Sequence, residues 1–88
     1  MLQPAVFQLE LLKQNETLFS GLVQRVVLPG VEGILELLPH HMPFMCFLTK
    51  GDVHVHTDQQ ETYPIEGGTV YFLNNQCQIL AQNTSSSG

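Results

Sequence analysis

The sequence predicts an all-β domain, either a sandwich or a barrel built from short strands. Runs of about five to eight apolar or alternating residues recur along the chain. Glycine, proline and asparagine turn signals separate these runs every few residues. No segment has the sustained period of an amphipathic helix. About nine such runs fit within 88 residues, which is the length of one domain.

The first third of the chain contains two predicted strands. Residues 6–13 alternate between apolar and polar side chains, which predicts a half-buried strand. A helix is the weaker alternative for this segment, because the period is closer to two. The apolar piece 18–21 is short and ends in glycine. The β-branched residues of 22–28 predict a second strand, which Pro29 and Gly30 end.

The stretch 28–43 contains three of the five prolines and two adjacent histidines, His40 and His41. Turn residues at both of its ends bracket the apolar run 34–38, which predicts a strand between two tight loops. Since the polar residues lie in the loops, we look for function there.

The second half of the chain continues the strand pattern. In 53–57 the valines alternate strictly with His54 and His56, so the two histidines should share one face of a strand. The serine-rich residues 83–88 predict a flexible tail, which leaves a domain over residues 1–82. Strands are predicted at 44–48, 53–57, 61–65, 69–73 and 76–81.

The composition limits the kinds of partner. Charged residues make up 12% of the chain, about half the usual share. Either a partner covers part of the surface, or the surface is rich in Gln, Asn and Thr. A net charge of −5 with three basic residues argues against nucleic-acid binding and against docking on anionic lipid. We see neither a membrane-spanning run nor a signal peptide.

The two cysteines, Cys46 and Cys77, both lie in apolar, strand-like runs. We interpret them as small buried residues in a reducing compartment. A single disulfide between them remains an alternative, although nothing in the sequence requires it.

The pattern His54-x-His56 followed by Glu61 resembles the first metal-binding motif of the cupin family. Two histidines at i and i+2 point to one face, and a carboxylate on the next strand could complete a metal site. Leu48 stands where that motif has glycine, however, and no histidine follows His56. An exposed polar face of an edge strand is therefore the favoured interpretation, with a cupin-like metal site as the alternative.

His40 and His41 could serve as ligands or as a general base. No nucleophile or carboxylate pair lies at a recognisable spacing from them. We therefore interpret them as loop residues that cap a turn or contact a partner. We predict no catalytic residue, no cofactor and no metal ligand in this chain.

Five short blocks of sequence follow one another along the chain: Leu18-Phe19-Ser20-Gly21-Leu22-Val23, Pro29-Gly30-Val31-Glu32-Gly33, Leu37-Leu38-Pro39-His40-His41-Met42-Pro43, Lys50-Gly51 and Gly67-Gly68. In order and spacing these blocks resemble the N-terminal β-sandwich of the epsilon subunit of F-type ATP synthases, which is called delta in mitochondria. The resemblance extends over about residues 6–82.

The resemblance implies a sandwich or flattened barrel of about ten strands in a rotor subunit that is not an enzyme. Such a subunit binds the gamma subunit through one face and the late strands. It also binds the c-ring, at the cytoplasmic face of the bacterial inner membrane, and couples proton or sodium transport to ATP synthesis. Two loops at one end of the sandwich should face the c-ring. Their residues are Glu32, Gly33, His40, His41, Met42 and Pro43.

Three positions depart from the family pattern. His40 stands where the family usually has glycine, which predicts a less tightly turned loop. Glu36 replaces a glycine within the strand, and Ile34 replaces a residue that is often polar. The family usually has a two-helix hairpin after the sandwich, whereas this sequence ends at Gly88 without a helical pattern. Because of this departure from the family pattern, we predict neither an inhibitory arm nor a nucleotide site in this sequence.

Overall fold

The computed structural model describes residues 5–82, which contain strands, turns and bends but no helix. The predicted serine-rich tail lies outside the described residues. Nine strands are found within 5–82, one fewer than the implied ten. They are β1 (Phe7–Lys13), β2 (Glu16–Val23), β3 (Arg25–Gly30), β4 (Gly33–Leu37), β5 (Phe44–Leu48), β6 (Gly51–His56), β7 (Gln60–Ile65), β8 (Gly68–Leu73) and β9 (Gln76–Ala81).

The strands form two layers that are joined at one point. Sheet I has the order β2-β1-β9-β8-β5, and sheet II has the order β4-β3-β6-β7. All neighbours are antiparallel except β1 and β9. The layers are linked through the single pair Gly30↔Leu48 of β3 and β5. The all-β prediction and the flattened, barrel-like sandwich are therefore confirmed.

The core lies between the two sheets and follows the period-two pattern of the strands. In β1, Phe7, Leu9 and Leu11 are buried, while the intervening polar residues point outward. Phe72 of β8 meets Phe7 edge to face, with ring centroids 5.3 Å apart. The prediction of a strand over 6–13 is therefore confirmed, with one residue fewer at its start.

The prediction of a single strand over 22–28 is wrong. Val23 ends β2 and pairs with Phe7 in sheet I, whereas Arg25 begins β3 and pairs with His56 in sheet II. Between them, Gln24 N–H donates to the His56 carbonyl at 2.8 Å. The chain thus crosses from one sheet to the other at Gln24. In one continuous strand Val23 and Val26, three residues apart, would point to opposite faces, whereas here both are buried.

Two turns of the sandwich depend on residues that accept a left-handed backbone. Asn74 and Asn75 join β8 to β9 with φ values of 54° and 60°, as expected for a two-residue hairpin turn. Gly68 has φ 148°, and a Cβ there would lie 2.2 Å from the Leu80 carbonyl oxygen. The predicted break at Gly67-Gly68 is therefore a place where β9 approaches too closely for any side chain.

Candidate protein-interaction surfaces

The two predicted interface loops lie at opposite ends of β4. The 31–32 turn lies beside the end of β5, since Val31 N–H donates to the Phe47 carbonyl at 3.1 Å. The 38–43 loop leads into the start of β5, near the β8–β9 turn. A five-residue strand separates them by roughly 15 Å. The two loops therefore flank β4, and a partner that contacts both of them must lie along this strand.

Strand β4 pairs with β3 alone among the strands of residues 5–82. A groove of about 550 Å³ runs between β4 and β5. Ile34 is 75% exposed beside it, and Glu32 lies at the turn. We call this groove, β4 and its two flanking loops the open side. Its apolar lining residues are Val31, Ile34, Leu35, Phe44, Met45 and Phe47.

The loop at His40 is tightly turned, contrary to expectation. His40 has φ 65°, the left-handed conformation that glycine adopts most easily. Its N–H donates to Asn75 Oδ1 at 2.7 Å. The next N–H, of His41, donates to the Leu38 carbonyl at 3.2 Å. Histidine therefore occupies a glycine-like position because the backbone on both sides of it is hydrogen-bonded.

His41 packs inward from the same loop. Its ring centroid lies 5.2 Å from that of Phe44 and 5.7 Å from that of Phe72. Its Nδ1 lies 2.7 Å from the Met42 carbonyl oxygen, which only accepts, so Nδ1 carries the proton. As a result His41 is half-buried, whereas Met42 is 70% exposed at the loop surface.

The outer face of sheet I has several exposed apolar side chains where β5, β8 and β9 run side by side. Met45 lies opposite Tyr71, and Phe47, which is 60% exposed, lies opposite Thr69 and near Leu80. This surface was not predicted from the sequence. The only signal was that β5 is apolar at every position, which means that both of its faces are apolar. We define the apolar face as Met45, Phe47, Tyr71, Leu73 and Leu80.

The three residues of the cupin-like alternative do not come together. His54 and His56 share the outer face of β6, and His54 Nδ1 lies 3.1 Å from Thr62 Oγ1. Glu61 pairs with Val55, so it points to the opposite face, where it accepts a hydrogen bond from Tyr63. The metal-site hypothesis is therefore wrong, and nowhere in residues 5–82 do three or more potential ligands cluster around a metal position.

The favoured alternative for these histidines also needs correction, because β6 lies between β3 and β7 and is not an edge strand. The outer face of sheet II is polar here, with Arg25 Nη1 2.6 Å from Glu36 Oε2. Burial, followed by Arg25 and His54, lowers the pKa of His56, and Glu36 opposes this shift. We define the polar face as Arg25, Glu36, His54, His56 and Thr62.

Tyr63 lies on the inner side of β7 and packs against Phe19 at 6.3 Å between ring centroids. The hydrogen bond to Glu61, with burial and the Glu61 charge, raises the pKa of Tyr63 to about 12. Glu61 therefore holds the Tyr63 hydroxyl by a hydrogen bond at the border of the core.

The two cysteines are free, and they differ in burial. Burial raises the pKa of the Cys77 thiol to about 12, as expected for a core residue. Cys46 is only half-buried, and its pKa is raised first by burial and then by the Glu32 carboxylate across the groove. The prediction of burial is therefore confirmed for Cys77 alone.

Within residues 5–82 there is no helix of the length and apolar character that crossing a membrane requires. The fold is that of a small β-sandwich with several exposed apolar side chains on its outer surface. The chain belongs to the family of the ATP synthase delta/epsilon chain β-sandwich domain, whose sequence profile it matches over residues 6–86.

Individual relatives agree with this assignment. The chain is 40% identical over 81 residues to ATP synthase epsilon chain 2 of Nitrobacter hamburgensis, covering 91% of this chain and 60% of that protein. It is 42% identical over 74 residues to the epsilon chain of Maricaulis maris, covering 83% and 56%. The epsilon chain of Chlorobium limicola is 27% identical, with 90% and 92% covered. The chain thus spans about 60% of the length of the Nitrobacter relative.

Two solved structures have the same fold. A chain of the Euglena gracilis mitochondrial ATP synthase superposes with a TM-score of 0.83 at 23% identity, covering 89% of this chain and 51% of that one. A chain of the Tetrahymena thermophila central stalk and c-ring assembly gives 0.75 at 14%, covering 92% and 65%.

Proposed function

We propose that this chain is a central-stalk subunit of an F-type ATP synthase that binds the gamma subunit and the c-ring. In that role it couples proton or sodium transport to ATP synthesis and catalyses no reaction itself. It lies at the cytoplasmic face of the bacterial inner membrane as part of the complex. The observation that best supports this is the apolar face, which is exposed in the isolated domain of a family whose relatives are named as ATP synthase subunits.

The gamma subunit binds the apolar face. This face combines two aromatic side chains, a methionine and two leucines on three adjacent strands. Aromatic residues and methionine are enriched in interface centres, where charged residues are depleted. The nearest charged position in the same cross-strand row is Glu10, two strands away from Tyr71. Gamma should therefore dock on β5, β8 and β9, which include the late strands.

The c-ring binds the open side. Glu32 and Gly33 lie at one end of β4, and the His40–Pro43 loop lies at the other. A contact along β4 would engage both loops together. Among these residues, Glu32 offers a charge and Met42 an exposed apolar side chain, while His41 supports the loop from within.

Torque passes between the two surfaces through packing. The apolar face and the open side share β5, whose inner residue Leu48 is buried in the core. Protein interiors are close-packed and resist compression, so a force on one surface is transmitted to the other. This chain supplies rigidity and contact area.

The proposal is tested with the purified chain, the gamma subunit and the c-ring of the same organism. We expect a stoichiometric complex in co-elution and calorimetry. Glu32→Lys combined with Met42→Asp should weaken c-ring binding by about tenfold or more, as loss of an interface contact does. His54→Ala is the matched control and should bind normally. If the wild-type chain forms no complex with either partner, the proposal is wrong.

A further inference from the structure

Asn75 connects three segments that are distant in the sequence. Its Oδ1 accepts the His40 N–H at 2.7 Å, and its Nδ2 donates to the Val6 carbonyl at 2.9 Å. Its own carbonyl accepts the Gln8 N–H at 3.2 Å. One residue of the β8–β9 turn therefore holds both the His40 loop and the chain entering β1.

The bond to His40 acts at the most strained point of the loop. His40 has a left-handed backbone, which costs conformational energy for a residue with a Cβ. The Asn75 amide oxygen fixes the peptide unit immediately before His40 Cα. From this fixed point the chain continues to His41, which packs inward, and to Met42, which is exposed.

We propose that Asn75 is the positioning residue of the His40–Pro43 loop, which it holds in the conformation that binds the partner. This rests on the proposed function, in which that loop contacts the c-ring. An ordered loop binds more tightly because less conformational freedom is lost on association. Asn75 therefore contributes to affinity through His40 and Met42, without touching the partner.

The same turn provides a matched control. Asn74 also has a left-handed backbone, with φ 54°, but its side chain makes no hydrogen bond among the described residues. Glycine accepts φ values of this kind freely. Asn74→Gly and Asn75→Gly therefore alter the turn backbone alike, and only Asn75→Gly removes the side-chain bonds to His40 and Val6.

The first measurement is amide hydrogen exchange of the folded variants by NMR. Asn75→Gly should accelerate exchange of the His40 N–H by about tenfold, as loss of one hydrogen bond allows. It should also shift the His41 ring resonances, while the amides of β6 and β7 stay unchanged. Asn74→Gly should leave the His40 N–H as in wild type. Unchanged His40 exchange in Asn75→Gly would overturn the proposal.

The second measurement is c-ring affinity. Asn75→Gly should weaken binding by about five- to tenfold, although every proposed contact residue is retained. Met42→Ser should weaken binding without accelerating His40 exchange, which separates contact from positioning. Equal affinity of Asn75→Gly and wild type, despite faster His40 exchange, would overturn the positioning role. A wild-type chain that does not bind the c-ring would instead refute the proposed function, and His40 exchange would still decide whether Asn75 orders the loop.

Discussion

The outer faces of the two sheets follow the same strand alternation but differ in chemistry. Sheet I presents the apolar face, whereas sheet II presents the polar face with its ion pair between Arg25 and Glu36. Both faces cover the same core, which is complete without either of them. Monomeric proteins rarely expose a contiguous apolar patch without a role. In the proposed complex, a partner therefore covers the apolar face, whereas the polar face stays in water.

The largest expected effect is on the free energy of unfolding, and it distinguishes residues of the core from residues of the apolar face. Phe72→Ala should lower the free energy of unfolding by about 3–5 kcal/mol, because Phe72 is 1% exposed and its loss leaves a cavity. Phe47→Ala, at an exposed position of the neighbouring strand, should change it by about 0.5 kcal/mol or less. Chemical denaturation of the isolated chain measures both. A large loss for Phe47→Ala would mean that the apolar face is part of the folding core.

The next largest effect is on affinity for the gamma subunit, and it distinguishes the apolar face from the polar face. Tyr71→Asp places a charge in the apolar face, away from the groove of the open side, and should weaken binding to the gamma subunit by about 100-fold, or about 2.7 kcal/mol. Thr62→Asp makes a comparable change on the polar face and should alter affinity by about threefold at most. Calorimetry with the folded variants gives both values. Similar losses for the two variants would remove the distinction between the faces.

Much of the fold could be predicted from local pattern. The alternation in β1 and the apolar runs of β5, β8 and β9 place these strands within one or two residues. The passage between sheets at Gln24 was missed, although the three-residue spacing of Val23 and Val26 signalled it.

The candidate site was harder to predict, because it depends on strand register and on contacts between distant segments. The pairing of Glu61 with Val55 decides that the carboxylate faces away from His54, and spacing alone does not give this register. In the same way, the bond between His40 and Asn75 joins residues 35 positions apart. Phe47 is exposed because it lies on the outer face of β5, and in a strand that is apolar at every position the local pattern does not specify which face is buried.

A smaller effect concerns the ion pair of the polar face. Arg25 and Glu36 are about half exposed, so water and salt screen their attraction. A double-mutant cycle of Arg25→Ala and Glu36→Ala should give a coupling of about 0.2–1 kcal/mol in unfolding experiments. We expect the coupling to fall at 1 M salt, where the screening length is about 3 Å. A coupling that salt does not change would show that the pair acts by packing instead.

The smallest effect is the pH dependence of His56. Its pKa is lowered in the folded chain by burial, Arg25 and His54, against the opposing influence of Glu36. The unfolded chain therefore takes up a proton near the ordinary pKa of 6.5, before the folded chain does, so stability should fall as the pH drops below about 7. His56→Gln should remove this part of the dependence, by less than the ion-pair coupling. Thermal midpoints of both proteins between about pH 5 and 8 measure it. If wild type and His56→Gln lose stability in parallel, His56 contributes no pH dependence, and the polar face influences stability only through its ion pair.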